Sequence, residues 1–288
     1  MKVEDVIIIG GGPSGIACGV QLARCGIKPV ILEKGKLGGL LVNANYIENY
    51  PGFPKGISGN KFAELLKDQI KKYKIKVIFE EVFDLILEGE FFKITTKKHS
   101  FHSKFLVIAS GTKPKEFKDC PIPPELKDKI FYEVSPIRSV RNKKVVIVGA
   151  GDVAFDYALS LKTYNEVLIL NRKEKEKCLP TLFKKIQKSK RINYKKNIKI
   201  KKIIPSSNHL IKLECKSKEG KINIEANYLL FAIGRKPCLD FLKEKIENNK
   251  IYLVGDVRNG PFRQIGIAIG DGIKTAMKIF RKIQGEEK

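Results

Sequence analysis

Two glycine-rich turns carry most of the chemistry legible in this chain. Gly10-x-Gly12-x-x-Gly15 follows the apolar run "VIIIG", and Gly149-x-Gly151-x-x-Ala154 follows "VVIVG". Placed between a strand and a helix, such a turn is a phosphate cradle. The first glycine permits the tight turn, the second lets a pyrophosphate approach the backbone, and the third, where alanine is tolerated, lets the helix pack against the strand. The helix N-terminus adds N–H donors and a partial positive charge. Each unit then enters a second strand, "PVILEK" or "EVLILNR". Glu33, at the end of the first, can accept hydrogen bonds from ribose hydroxyls. The matching position in the second unit holds Asn171, followed by Arg172 and Lys173, cations where a 2′-phosphate would sit. An ordinary solvated basic loop is the alternative reading of "NRKEKEK". The pair of turns points to one site for FAD and one for NADPH, with a hydride passing between nicotinamide and flavin. That step needs no protein acid, base or nucleophile, so no catalytic side chain is assigned.

Positioning two such turns requires two βαβ units, each a parallel strand pair with a right-handed crossover. Helices are expected from about Pro13 to Cys25 and from about Val153 to Lys162. Each unit continues into a β-rich segment, 76–111 and 198–234, that reads as a meander returning to a parallel strand. Similar halves at such spacing indicate an internal repeat. The stretch 111–126, rich in Pro and Lys, reads as a hinge. The fold class is therefore α/β, with two Rossmann-like three-layer dinucleotide-binding units.

Composition narrows the setting. The chain has 288 residues, 43% of them hydrophobic, which suits a folded globular protein. No apolar run approaches the roughly 20 residues of a membrane span, and "VEDVIII" enters a strand where a signal peptide would lie, so a cytoplasmic location is expected. The net charge of +25 favours anionic partners. The lysines are spread along the chain and no nucleic-acid module appears, leaving a solvated basic surface or an acidic protein partner. None of the six cysteines has C-x-x-C spacing, which argues against a zinc site or a local redox pair, and no metal is expected.

At "IIIGGGPSGIAC", "LEKGKLGGLLVNANYIENYPGFPKGISGNKF", "FAIGRKP" and "LVGDVRNGPFRQIGIAIGDG" the chain resembles the low-molecular-weight thioredoxin reductase family of FAD/NAD(P)H oxidoreductases. The resemblance implies that Gly38, Gly39 and Asn49 line the flavin. It places Asp256, in the Gly255-Asp256 turn, on the ribityl or pyrophosphate region, with a structural turn residue as the alternative. Arg263, Gln264 and Ile265 would lie along the isoalloxazine, and Arg172, Lys173 and Lys177 would form the cluster for the 2′-phosphate. Pro13, Ser14, Lys34, Leu40, Gly111, Asp152 and Val153 complete the candidate cofactor-binding set. The resemblance also implies a homodimer and two Rossmann-like three-layer domains, the NAD(P)H domain, 113–245, inserted into the FAD domain, 1–112 and 246–288.

The chain departs from that family at one short segment. Where thioredoxin reductases carry Cys-Ala-Thr-Cys-Asp, it has Tyr132-Glu133-Val134-Ser135-Pro136, and neither tyrosine nor serine can cycle as a dithiol. The run Gly149 to Ala158 instead resembles the thioredoxin-reductase-like ferredoxin–NADP reductases. The expected function is a flavoprotein passing electrons from NADPH to a small acidic redox protein, ferredoxin or flavodoxin. The alternatives are an oxidase or diaphorase acting on oxygen, quinones or small disulfides, and a flavin-binding protein without turnover. Thioredoxin reductase is the least favoured assignment.

Overall fold

The computed structural model describes residues 2–244 and 246–286. The chain divides into two compact units. Unit 1 holds the residues up to Val42, Ile47–Lys113 and those from Lys236 on; unit 2 holds Asn43–Tyr46 and Pro114–Arg235. The outward crossing thus falls beside the expected 112/113. The return falls at 235/236 rather than 245/246, because Leu239, Phe241 and Leu242 pack into the unit 1 core with Leu85, Phe92 and Ile94.

In chain order, unit 1 opens with β1 (Val3–Ile9), α1 (Pro13–Arg24), β2 (Val30–Leu32), α2 (Gly59–Lys72), β3 (Lys76–Ile78), β4 (Val82–Glu88), β5 (Phe91–Thr96) and β6 (Ser100–Ile108). A short β7 (Thr112–Pro114) leads away. Unit 2 follows with β8 (Ile130–Phe131), β9 (Lys144–Val148), α3 (Asp152–Leu161), β10 (Glu166–Leu170), α4 (Pro180–Gln187), β11 (Ile192–Lys195), β12 (Lys199–Pro205), β13 (Ile211–Ser217), β14 (Gly220–Ala226) and β15 (Tyr228–Phe231). The chain comes back through β16 (Arg235–Pro237), which pairs with β7, and ends in β17 (Ile251–Leu253) and α5 (Ile265–Ile283).

The two units repeat one wiring scheme. The parallel strands of unit 1 run β3-β2-β1-β6-β17, and those of unit 2 run β11-β10-β9-β15-β8. Each unit adds an antiparallel meander: β4-β5-β6 in the first, β12-β13-β14 in the second. The central strands bear helices or meanders on both faces, which is why they read as unbroken apolar runs. Val6, Ile7 and Ile8 of β1 are fully buried, as are Val145, Val146 and Ile147 of β9. Helix α1 begins with Pro at its first position, where the missing N–H costs nothing, and ends on Arg24, a cation favoured there by the helix dipole. Among the described residues no helix is long and apolar enough to cross a membrane.

Candidate dinucleotide sites

In both units the first glycine of the turn has a positive φ, +108° at Gly10 and +136° at Gly149. A side chain on either would collide with a carbonyl just past the neighbouring parallel strand, that of Ala109 or Ala232. These positions therefore demand glycine twice over. The second glycines are different. A methyl built on Gly12 or Gly151 meets no atom within 4 Å, and neither helix that follows has a side-chain cap. Each turn is thus a backbone cradle with space in front of it and helix N–H groups free to meet an anion, the fit a pyrophosphate requires.

The first cradle collects most of its candidate residues. The Glu33 carboxylate accepts from Gly11 N at 2.6 Å and Gly35 N at 2.8 Å, so it braces the turn and keeps acceptor capacity for a ribose. Gly38 N donates to Gly11 O at 2.8 Å, Gly39 lies against Gly12, and Leu40 continues the same turn of 3₁₀ helix. Gly255 lies against Ser14: a methyl there would stand 2.6 Å from the Ser14 hydroxyl. Asp256 belongs to the short helical turn after Val254. Asn49 Nδ2 donates to Gln264 Oε1 at 2.8 Å, and Gln264 and Ile265 form the N-terminus of α5. The buried Arg263 Nε has no partner, an orphaned donor of the kind that an acceptor-rich ligand satisfies. Gly111, at φ +65°, follows β6, and the exposed Lys34 pairs with Glu81 at 3.6 Å.

The second cradle opens into a cavity of about 640 Å³ lined by unit 2 residues, a size typical of ligand sites. Gly149, Gly151, Asp152, Val153, Arg172, Lys173 and Lys177 all line it. Lys177 N donates to Ala150 O at 2.7 Å, and Leu179 N donates to Asp152 Oδ1 at 2.7 Å, so the basic loop lies along the glycine turn. The Asp152 carboxylate is engaged in holding that loop. Sequence reasoning overlooked Lys175, which also lines the cavity, and Arg235, which stands in a quoted motif without an assigned role.

The segment 132–135 is built into unit 2. Tyr132 Oη accepts from Phe117 N at 3.1 Å and its ring packs on Phe231, while Val134 is fully buried. Glu133 is the hub: it accepts from Arg235 at 2.5 Å, Asn43 Nδ2 at 2.6 Å and Tyr157 Oη at 3.1 Å. Ser135 N and Arg138 also bind Asn43, which explains why 43–46 cluster with this unit. Next to them, burial pushes the Asp156 carboxyl up to about 6, against the opposing pull of Asn45 N, Arg138 and Lys185. The raised value means that the native state holds this proton more tightly than the unfolded chain. Stability should then fall as pH rises from about 4 to about 6, by at most on the order of 3 kcal/mol. Urea unfolding across that range should show the slope flattened in Asp156→Asn; an unchanged slope would refute this source of pH dependence.

With that geometry in place, comparison with known proteins is decisive for the family. The sequence profile of the pyridine nucleotide-disulphide oxidoreductase family matches residues 4–272. The chain belongs to that family. This pyridine nucleotide-disulphide oxidoreductase is 26% identical to a thioredoxin reductase of Borreliella burgdorferi, over 96% of this chain and 91% of that protein. Among solved structures, the thioredoxin reductase of T. acidophilum superposes with a TM-score of 0.90 at 28% identity, covering 99% of this chain and 100% of that one. The Lactococcus lactis thioredoxin reductase gives 0.89 at 26%, covering 98% and 99%. Enzymes of the family use FAD and NADPH, the cofactors expected from the two turns.

These relatives overturn the expected function. A ferredoxin-like acceptor has no support among them, and thioredoxin reductase, the assignment least favoured from the sequence, is what they are named.

Proposed function

We propose that this protein is an NADPH-dependent flavoprotein reductase of disulfides. The observation that carries the reading is its near-complete alignment, in sequence and in fold, with thioredoxin reductases. In this reading the first cradle holds FAD through Gly12, the α1 N-terminus and Glu33. The cavity of unit 2 holds NADPH, with Arg172, Lys173 and Lys177 on the 2′-phosphate. Bound flavin supplies two-electron transfer between the pyridine nucleotide and a disulfide.

The chain's own thiols shape the remaining step. All six cysteines are free, and none has C-x-x-C spacing. Burial holds the thiols of Cys18, Cys120, Cys178 and Cys215 above the usual range, which keeps them protonated and poorly nucleophilic at neutral pH. Tyr132 is tied in by ring packing and a hydrogen bond, the exposed Ser135 is held only through its backbone, and neither contains sulfur. The disulfide reduced is therefore one that the substrate brings: NADPH, one proton and the disulfide give NADP⁺ and two thiols, with no dithiol of this chain between them. A protein disulfide of the thioredoxin type is the substrate that the relatives favour.

Anaerobic spectroscopy tests this directly. NADPH should bleach the flavin absorbance of the FAD-loaded protein, and oxidised thioredoxin should restore it while free thiols accumulate. Flavin that NADPH reduces but that neither thioredoxin nor a small disulfide reoxidises would refute a disulfide substrate.

A further inference from the structure

The basic loop after β10 is held by a side chain that contributes no charge to it. Asn171 is only 5% exposed. Its Oδ1 accepts from Lys173 N at 2.9 Å, and its Nδ2 donates to Lys175 O at 3.1 Å and to Tyr194 Oη at 2.8 Å. The direction of the amide is fixed, because a backbone N–H can meet only its oxygen and a carbonyl only its nitrogen. Tyr194 comes from β11, where its ring is wedged against Phe155 at 5.8 Å and Phe183 at 5.7 Å. The clamp therefore spans the end of β10, the loop and β11, and its anchor packs against two aromatic rings.

The clamp decides what the loop presents. Arg172, Lys173, Lys175 and Lys177 all line the cavity, and none has an ion-pair partner among the described residues. Glu174, the acid between them, is tied instead to Lys196, Lys218 and Asn197 Nδ2. Those three hydrogen bonds hold its carboxyl at about 2, so it stays charged and bound where it is. Neither Glu174 nor Glu176 lines the cavity.

We propose that Asn171 is the positioning residue that selects a dinucleotide bearing a 2′-phosphate, by fixing the backbone of the 172–175 loop, whose unpaired cations Arg172, Lys173 and Lys175 line the cavity, without adding a negative charge. The proposal rests on reading the second cradle as the pyridine nucleotide site. An aspartate at 171 would keep the contact to Lys173 N. It would, however, turn a lone pair toward the Lys175 carbonyl and set an anion beside the phosphate. It would also offer acceptors to a ribose diol, the contact that Glu33 is placed to make in unit 1. The amide differs from the acid by one donor and one charge, and both differences act on the same loop.

Calorimetric titration of the full-length, FAD-loaded protein with 2′,5′-ADP and with ADP reads the selection without turnover. The unaltered protein should bind 2′,5′-ADP at least about tenfold more tightly than ADP, as one charge-assisted contact would provide. Asn171→Asp should lose about tenfold or more on 2′,5′-ADP while ADP binding holds or tightens. Tyr194→Phe keeps the ring and removes the anchor hydroxyl, and should weaken 2′,5′-ADP alone by a few-fold. Equal losses on both ligands, or no loss on either, would reduce Asn171 to a structural role and overturn the proposal. If Asn171→Asp does not fold, the Tyr194→Phe comparison decides by the same criterion. Equal binding of the two ligands by the unaltered protein would also overturn it, leaving the cradle as a nucleotide site. Binding of neither would overturn the nucleotide reading itself, and the proposal with it.

Discussion

Replacing Arg172 and Lys173 together by alanine should lower kcat/KM for NADPH about a hundredfold and leave that for NADH almost unchanged. A hydrogen bond to a charged group contributes about 1.5–3 kcal/mol, and two are removed where both partners are ionised. Loss of about 3 kcal/mol corresponds to that factor. The change should appear mainly in KM, since the 2′-phosphate lies far from the reacting carbon and binds equally in ground and transition states. Neither cation has an ion-pair partner among the described residues, so alanine leaves no carboxylate stranded. Steady-state kinetics with both nucleotides gives the answer. A comparable fall with NADH would mean that the loop supports the fold and reads no phosphate.

The glycine turns offer a sharper contrast within three residues. Gly12→Ala and Gly15→Ala each add one methyl group, yet they should fail in opposite ways. At Gly15 the methyl would collide with the Gly10 carbonyl and press on the Ala109 side chain, and backbone cannot swing aside as a side-chain tip can. Overpacking of that kind costs typically 1–3 kcal/mol and here should reach or exceed the upper end. Gly15→Ala should therefore melt earlier by several degrees or accumulate poorly. At Gly12 the methyl enters open space, so stability of the cofactor-free protein should be retained. What it should lose is FAD, because the added atom stands where a pyrophosphate approaches. Melting curves together with flavin content after reconstitution separate the two. Normal flavin retention in Gly12→Ala would remove this cradle from the list of phosphate sites.

The parts of this protein that announce themselves in sequence are those whose geometry is local. A strand, two glycines and a helix start lie within a dozen residues, and the backbone conformation that they impose belongs to the residue type. The basic loop is legible for the same reason. Tyr194 is not, because only the pairing of β10 with β11 carries it to Asn171, and nothing near it marks a site. The attachment of Asn43–Tyr46 to unit 2 is equally silent: it depends on Asn43 meeting Glu133, Ser135 and Arg138, residues about ninety positions away. The packing of Leu239, Phe241 and Leu242 into the unit 1 core is silent too, because so short a segment reads alike whichever core it enters. The expected electron acceptor rested on the absence of C-x-x-C spacing among the six cysteines, a local feature that does not bear on the fold the relatives share.

The pairing of β7 with β16 has a consequence for how such a protein can be assembled and altered. Lys115 N bonds Gly234 O at 2.9 Å, and Cys238 N bonds Gly111 O at 3.0 Å, so the outgoing and incoming chains lie side by side. From the standpoint of unit 1, more than a hundred residues of insertion begin and end like the two legs of a hairpin. Closing so narrow a gap places little entropic demand on the host fold, whatever the length of the excursion. Insert length and host fold are thereby decoupled: a change in the size of the excursion adds little to the cost of closing it.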